Sequence, residues 1–237
     1  TAFGAAVIAF NVILKKAKIR TRFDIFYGLL VCSLIIWAVG RYGLLITNQY
    51  NLALFWVHLL YFGSILVHVF FLHVILIFLD IEKKRKTILI IFYINAIFLL
   101  ILNSIYFISG SNYFIKDVIP KLSFNYYEEP NIFYNLHLIN YIFIPFYALF
   151  EMILALRNST YEKKQQLKLI IFSSILGFFG GNSVVPLVYN IRIEPFLLIL
   201  VPFHLLTLAY AITKHHLFNI KTIATELLTF AIWIAVL

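Results

Sequence analysis

The sequence predicts an all-α fold: a polytopic bundle of transmembrane helices with seven spans and the start of an eighth. Three observations carry this expectation. Hydrophobic residues fill 63% of 237 positions and the mean hydropathy is +0.95. Charged residues are only 12%, against about 25% in soluble domains, too few to solvate a globule of this size. The Lys and Arg residues gather in short runs between apolar stretches, a pattern that reports topology rather than nucleic-acid binding, despite the net charge of +9.

Apolar segments lie at about 2–14, 25–47, 53–79, 87–108, 136–156, 169–190, 196–213 and 223–237. The six interior ones suit the roughly 20 residues that cross a hydrocarbon core as a helix. The two terminal runs are shorter than a span, and the chain starts at Thr1 and stops at Leu237 within an apolar run. A fragment of a longer protein is the expectation. Secretory signal peptides carry their charges before the apolar stretch, whereas here they follow it.

The connections assign sides. Lys15, Lys16, Lys18, Arg20 and Arg22 follow the first segment, Lys83 to Lys86 the third, Arg157, Lys163, Lys164 and Lys168 the fifth, and Lys214 and Lys221 the seventh. The opposite side holds Arg41, Lys116, Lys121 and Arg192. The positive-inside rule then places the N-terminus outside and the end of the seventh helix in the cytoplasm; the plasma membrane is the expected location. The long outer connection from Ser109 to about Asn135 holds Asp117, Glu128, Glu129, Pro120, Pro130 and the run Phe124-Asn125-Tyr126-Tyr127. Its aromatic density predicts a structured cap packed on the bundle, or a lid that contacts ligand. Residues 1–213 read as one domain, with 214–237 forming a basic turn and the start of the eighth helix.

Ionisable residues inside spans are functional suspects, because burying them costs several kcal/mol unless they are paired or wet. Arg41 either snorkels outward or pairs with an inward-facing acid. Glu151 either reaches the interface or a basic neighbour, or serves a proton relay. His68 and His73 are about 140° apart around their helix, and His58 sits roughly 15 Å above His68, so that helix alone builds no ligand cluster. Satisfied histidines are the expectation there and at His204, and no metal site is expected. Lys214, His215 and His216 join the cytoplasmic basic belt.

The most unusual stretch is Gly177-Phe178-Phe179-Gly180-Gly181-Asn182-Ser183-Val184-Val185-Pro186. Gly177 and Gly181 form a small-xxx-small pair that permits close helix approach. Pro186 interrupts the helix and frees carbonyls for Asn182 or Ser183 to cover. This is either packing or the wall of a small-molecule pocket made by Gly177, Gly181, Asn182, Pro186 and His204. No span contains a Lys for a retinal Schiff base, and no acid sits at a midplane for ion-coupled transport. Phosphate-binding glycine loops and nucleophile motifs are lacking, so no catalytic residue is assigned.

From Gly177-Phe178-Phe179-Gly180-Gly181, through Pro186, Tyr189-Asn190-Ile191 and Pro195, to Tyr210-Ala211-Ile212-Thr213-Lys214-His215-His216-Leu217-Phe218-Asn219-Ile220-Lys221, the chain resembles the N-terminal seven-transmembrane region of bacterial sensor histidine kinases. Trp37 and the basic loop before the sixth segment also fit. Related membrane regions precede diguanylate cyclases and other output domains. The chain departs from the common pattern at Ile223, where another apolar helix begins, either a further span or a helix on the inner surface. The resemblance implies a signal-input region in the lipid bilayer, a homodimer, and a response regulator reached through an output domain outside this chain. ATP and magnesium are expected only for that kinase core; this chain itself is expected to hold no cofactor. Lys214, His215, His216, Leu217 and Phe218 are the candidate transmission point. The alternative is a small transporter or channel with its pocket at the kinked sixth segment.

Overall fold

The computed structural model describes residues 21–204, 207 and 208. The first and eighth apolar segments, and Lys214 to Phe218, lie outside the described residues. Helix α1 spans Arg22–Ile46, α2 Tyr50–Phe78, α3 Lys86–Ser109, α4 Ile132–Asn158, α5 Tyr161–Asn182 and the short α6 Val185–Val188. A 3₁₀ turn at Phe196–Ile199 leads into a further helix. Five helical stretches are long and apolar enough to cross a membrane: α1, α2, α3, α4, and α5 with α6. Five candidate spans therefore fall among the described residues, where the sequence predicts seven spans for the chain.

Two expectations are corrected. The fold is not purely helical: β1, Ile115–Lys121, pairs antiparallel with β2, Phe124–Pro130. The basic residues Lys163, Lys164 and Lys168 stand within the first turns of α5 and not in a loop, and only Ser159 and Thr160 separate α4 from α5. Lipid excludes charge from the middle of a span but not from its interfacial turns, so the helix continues past the hydropathy boundary.

The described chain forms two compact bodies, residues 21–148 with 184–194, and residues 149–183 with 195–208. In the first body α2 is the centre, with 17 of its 29 residues buried. Thr21 starts α1 through a capping box: its backbone N–H donates to Asp24 Oδ2 at 2.8 Å, and its Oγ1 accepts from the Asp24 N–H at 3.2 Å. Helices α1 and α2 pack closely because a side chain is missing at the crossing. A Cβ on Gly40 meets the Leu60 backbone nitrogen at 2.5 Å, and one on Gly63 strikes the backbone of Trp37 and Ser33. Helix α3 buries Leu89, Ala96, Leu99 and Asn103, one stripe at near-heptad spacing, and exposes Ile90, Ile91, Ile94, Ile97 and Ile101. Such a helix has one face on protein and the other suited to lipid.

The β-hairpin joins α3 to α4. Gly110, in the left-handed region at φ +71°, ends α3. A two-residue turn, Leu122-Ser123, closes the strands, and Leu122 takes a positive φ of +50°. Register shifts flank Ile119 and Ile115. They let Ile115, Val118 and Lys121 all face inward, a spacing of three that an unbulged strand does not give. In the second body α5 packs against the 3₁₀ turn: a Cβ on Gly180 meets the Leu197 carbonyl and Val201 Cγ2, each at 3.0 Å.

Candidate functional site

The hairpin brings charge to the end of the first body, and the bundle accepts it. Arg41, on α1, is 6% exposed, and Glu128, on β2, is wholly buried. Arg41 donates from Nη1 to Glu128 Oε2 at 3.1 Å and from Nη2 to Oε1 at 2.8 Å, a fork-to-fork pair. The Tyr61 hydroxyl, on α2, donates to Glu128 Oε1 at 2.8 Å, and lies 3.3 Å from the Tyr134 hydroxyl of α4. One carboxylate thus ties α1 and α2 to the hairpin, and Tyr61 extends the contact to the start of α4. Of the two sequence readings of Arg41, pairing with an acid holds; that acid comes from the connection and not from a span.

Lys121 completes the seat. Its Nζ donates to three backbone carbonyls, of Glu128 at 2.9 Å, Leu187 at 3.1 Å and Val188 at 2.8 Å. These are all the donors an ammonium has. The two latter acceptors are the last carbonyls of α6, where the helix dipole favours a cation. Between the two cations lies the Tyr127 ring, 5.3 Å from Arg41 Cζ and 5.9 Å from Lys121 Nζ, while its hydroxyl donates to the Val184 carbonyl at 3.2 Å.

Electrostatics in the hairpin follow this geometry. Burial alone would push the Glu128 carboxyl up, but the Arg41 charge and hydrogen bonds overcome it and hold the group below its ordinary value. Burial lowers the Lys121 ammonium, against the opposing pull of Glu128 and Glu129. Burial pushes the Tyr127 phenol up, so it stays a neutral donor.

Beneath Glu128 a polar and aromatic seam descends between α2 and α4. Tyr61, Ser64 and His68 lie at i, i+3 and i+7 on α2; Tyr134, His137 and Tyr141 repeat that spacing on α4. Ser64 Oγ and His137 Nε2 are 3.2 Å apart, and the His68 ring lies 6.0 Å from that of His137 and 4.4 Å from that of Tyr141. This seam escapes a reading of α2 in isolation, because its members come from two helices. The shared i, i+3, i+7 spacing, Tyr-Ser-His in one segment and Tyr-His-Tyr in the other, was the available signal.

The other histidines are held singly. His58 Nδ1 is 2.9 Å from Asn103 Oδ1, while Asn103 donates to the His58 carbonyl at 2.9 Å, so the two clasp α2 to α3. His73 lies 2.8 Å from the Tyr93 hydroxyl and 3.0 Å from Glu82, which also takes Arg22 at 2.6 Å. Among the described residues no three His, Cys, Asp or Glu gather as metal ligands. Glu151 is buried, at 4% exposure.

Of the sequence-derived pocket residues, Gly177, Gly181, Asn182 and His204 lie in the second body and Pro186 in the first. The space above Gly177 holds the ring of His204, with Cγ 2.7 Å from where a Cβ would stand. His204 Nδ1 is 2.8 Å from the Ser173 carbonyl, and Ser173 Oγ donates to the His204 carbonyl at 2.8 Å. Asn182 Nδ2 donates to the Phe178 carbonyl at 2.7 Å, and Ser183 Oγ to that of Gly180 at 2.6 Å. The helix does break here, with α5 ending at Asn182 and Pro186 opening the short α6, and those two side chains cover carbonyls at the break. Gly181 is buried.

With a helical membrane region capped by a seated hairpin in place, the family comparison is decisive. The family model for the N-terminal 7TM region of histidine kinase matches residues 1–221. The chain belongs to this family. No curated protein and no solved structure matches it. As a histidine kinase 7TM region, the chain is a membrane sensor input by family. The seat of the hairpin around Arg41, Glu128 and Lys121 is a buried polar site within its described residues.

Proposed function

We propose that this chain is the signal-input region of a two-component sensor histidine kinase, passing a ligand or membrane signal to a cytoplasmic kinase core beyond the residues given. In this reading the hairpin faces outward in the plasma membrane, the basic connections face the cytoplasm, and two copies pair. The kinase core uses ATP and magnesium and phosphorylates a response regulator. Lys214, His215, His216, Leu217 and Phe218 pass the change from the bundle to that core.

The observation that carries the reading, beyond family membership, is the buried Arg41–Glu128 pair under the hairpin. A connection that only joined two spans has no reason to place a carboxylate inside the bundle, where desolvation is expensive. A seated cap with a few discrete bonds can exist in a seated and an unseated state, and a ligand that prefers one shifts the population. The glycine and proline break, with Gly177, Gly181, Asn182, Pro186 and His204, is the second place where such a shift can be absorbed or a ligand held. The transporter alternative draws less support, because the His204 ring stands in the space over Gly177.

The test is autophosphorylation of the full-length parent in lipid nanodiscs. Glu128→Gln is expected to shift steady-state phosphorylation at least about threefold, the factor that follows from a bias of about 0.7 kcal/mol between two states. A parent that transfers no phosphoryl group from ATP sinks the reading.

A further inference from the structure

We infer that Lys121 is a positioning residue that fastens the link 184–194 to the hairpin, so that the hairpin governs the segment leading into the last described helix. This rests on the signal-input reading for its consequence, though not for its geometry. Residues 184–194 pack with the first body, through the hairpin and through Tyr189, whose hydroxyl donates to Asn135 of α4 and whose ring lies 6.1 Å from that of Tyr134, while their covalent neighbours on both sides, 183 and 195, belong to the second. The link is a strap whose hold on the hairpin consists of a few bonds. Lys121 Nζ takes the Leu187 and Val188 carbonyls, the Tyr127 hydroxyl takes that of Val184, and Ser123 Oγ donates to Glu194 Oε1 at 3.3 Å.

Of these, Lys121 bears the most. The other two are single neutral or exposed bonds, whereas the ammonium is 6% exposed and uses every proton it has on carbonyls. Helix α6 is four residues long, and without Lys121 its Leu187 and Val188 carbonyls lose their charged donor. The third bond, to the Glu128 carbonyl, ties the strap to the residue that Arg41 and Tyr61 hold by its side chain. Unseating Glu128 therefore moves the carbonyl that helps to fix Lys121, and the strap with it. Seated, the hairpin clamps 184–194; unseated, it releases the segment between α5 and the 3₁₀ turn at Phe196–Ile199. The neighbouring Lys116 supplies a control. It is on the same strand with the same charge, but pairs with Glu129 on the surface at 3.3 Å.

Hydrogen exchange of this chain in nanodiscs tests the fastening without any kinase. Lys121→Met keeps most of the length of the side chain and removes its donors. Amides of 187–194 are expected to exchange about tenfold faster in it, while β1 and β2 amides and the spans keep their protection. Lys116→Met is expected to change nothing. Unchanged exchange in 187–194, or a rise spread evenly over the whole chain, overturns the inference, the first because Lys121 does not hold the strap and the second because it merely supports the fold. In the full-length parent, Lys121→Met is then expected to shift autophosphorylation at least about threefold, with Lys116→Met at the wild-type level. A loosened strap with unaltered phosphorylation overturns its governing role. A parent with no kinase activity overturns the signal-input reading instead, and the exchange data still decide the fastening.

Discussion

At the scale of single residues, the Arg41–Glu128 pair carries the sharpest energetic consequence. Removing one partner of a buried pair strands the other charge, at a cost of about 3–5 kcal/mol, whereas replacing both by apolar groups costs far less. Arg41→Met and Glu128→Gln are each expected to fall in that range in denaturation of the reconstituted chain. Arg41→Met combined with Glu128→Leu is expected to recover most of the loss, and additive losses would mean that the pair is not the unit. Acid acts on the same pair. The Glu128 pKa is lowered in the folded state relative to the unfolded one. Its stabilisation is therefore fully present above the ordinary carboxylate value and is lost as pH falls through the depressed folded value. Limited proteolysis at the hairpin should stay slow from neutral pH through mild acid and rise only below the ordinary carboxylate range, with Glu128→Gln cleaved quickly throughout. A variant with the wild-type acid limb would show that another group controls it. Arg41 was legible in the sequence as an expensive charge within a span. Its partner was not, because it lies 87 residues away on a strand, and no local period connects the two.

At the scale of elements, the spans were legible because lipid imposes a length and an apolar content on every helix that crosses it. The hairpin was legible only as a packed cap. Its strands contain Pro120, Glu128 and Glu129 in place of alternating apolar residues, and bulges break the period of two that betrays a strand. The helix contacts were legible in part. Gly177 does lie under a close neighbour, but between α1 and α2 Gly40 and Gly63 come closer still, and there they meet backbone. Backbone cannot rotate aside as a side chain can. Gly63→Ala is therefore expected to cost about 1–3 kcal/mol, as overpacking does in well-filled cores. Gly177→Ala is expected to cost less, because only the His204 ring must shift. Thermal unfolding of the two variants in the same detergent ranks them; equal losses would count against the backbone argument. In the same comparison Gly110→Ala is expected to cost about 1 kcal/mol through its left-handed conformation alone, since nothing lies within 4 Å of an added Cβ.

For the whole molecule, the open question is which way the two ends of the first body face. The hairpin lies at one end, with the Asn48 turn between α1 and α2; the Lys83, Lys84, Arg85 and Lys86 turn lies at the other. The distribution of Lys and Arg argues that the hairpin end is outside, since basic connections stay on the cytoplasmic side. The geometry adds an independent argument. Lys116, Lys121 and Arg41, three of the four basic residues that break the bias, are spent in pairs or carbonyl bonds on the hairpin and its seat. Their charge does not oppose the rule as free surface lysines would. The expected outcome is read with a membrane-impermeant thiol reagent on intact cells, in a chain whose single cysteine has been removed by Cys32→Ala. Ser123→Cys, at the exposed hairpin turn, should label at once. Lys84→Cys, in the exposed basic turn, should label only after the membrane is opened. The reverse result would put the hairpin in the cytoplasm and overturn the proposal that it is an outward-facing receiver. Labelling of both positions in intact cells would mean that α3, which joins the basic turn to the hairpin, does not cross the bilayer.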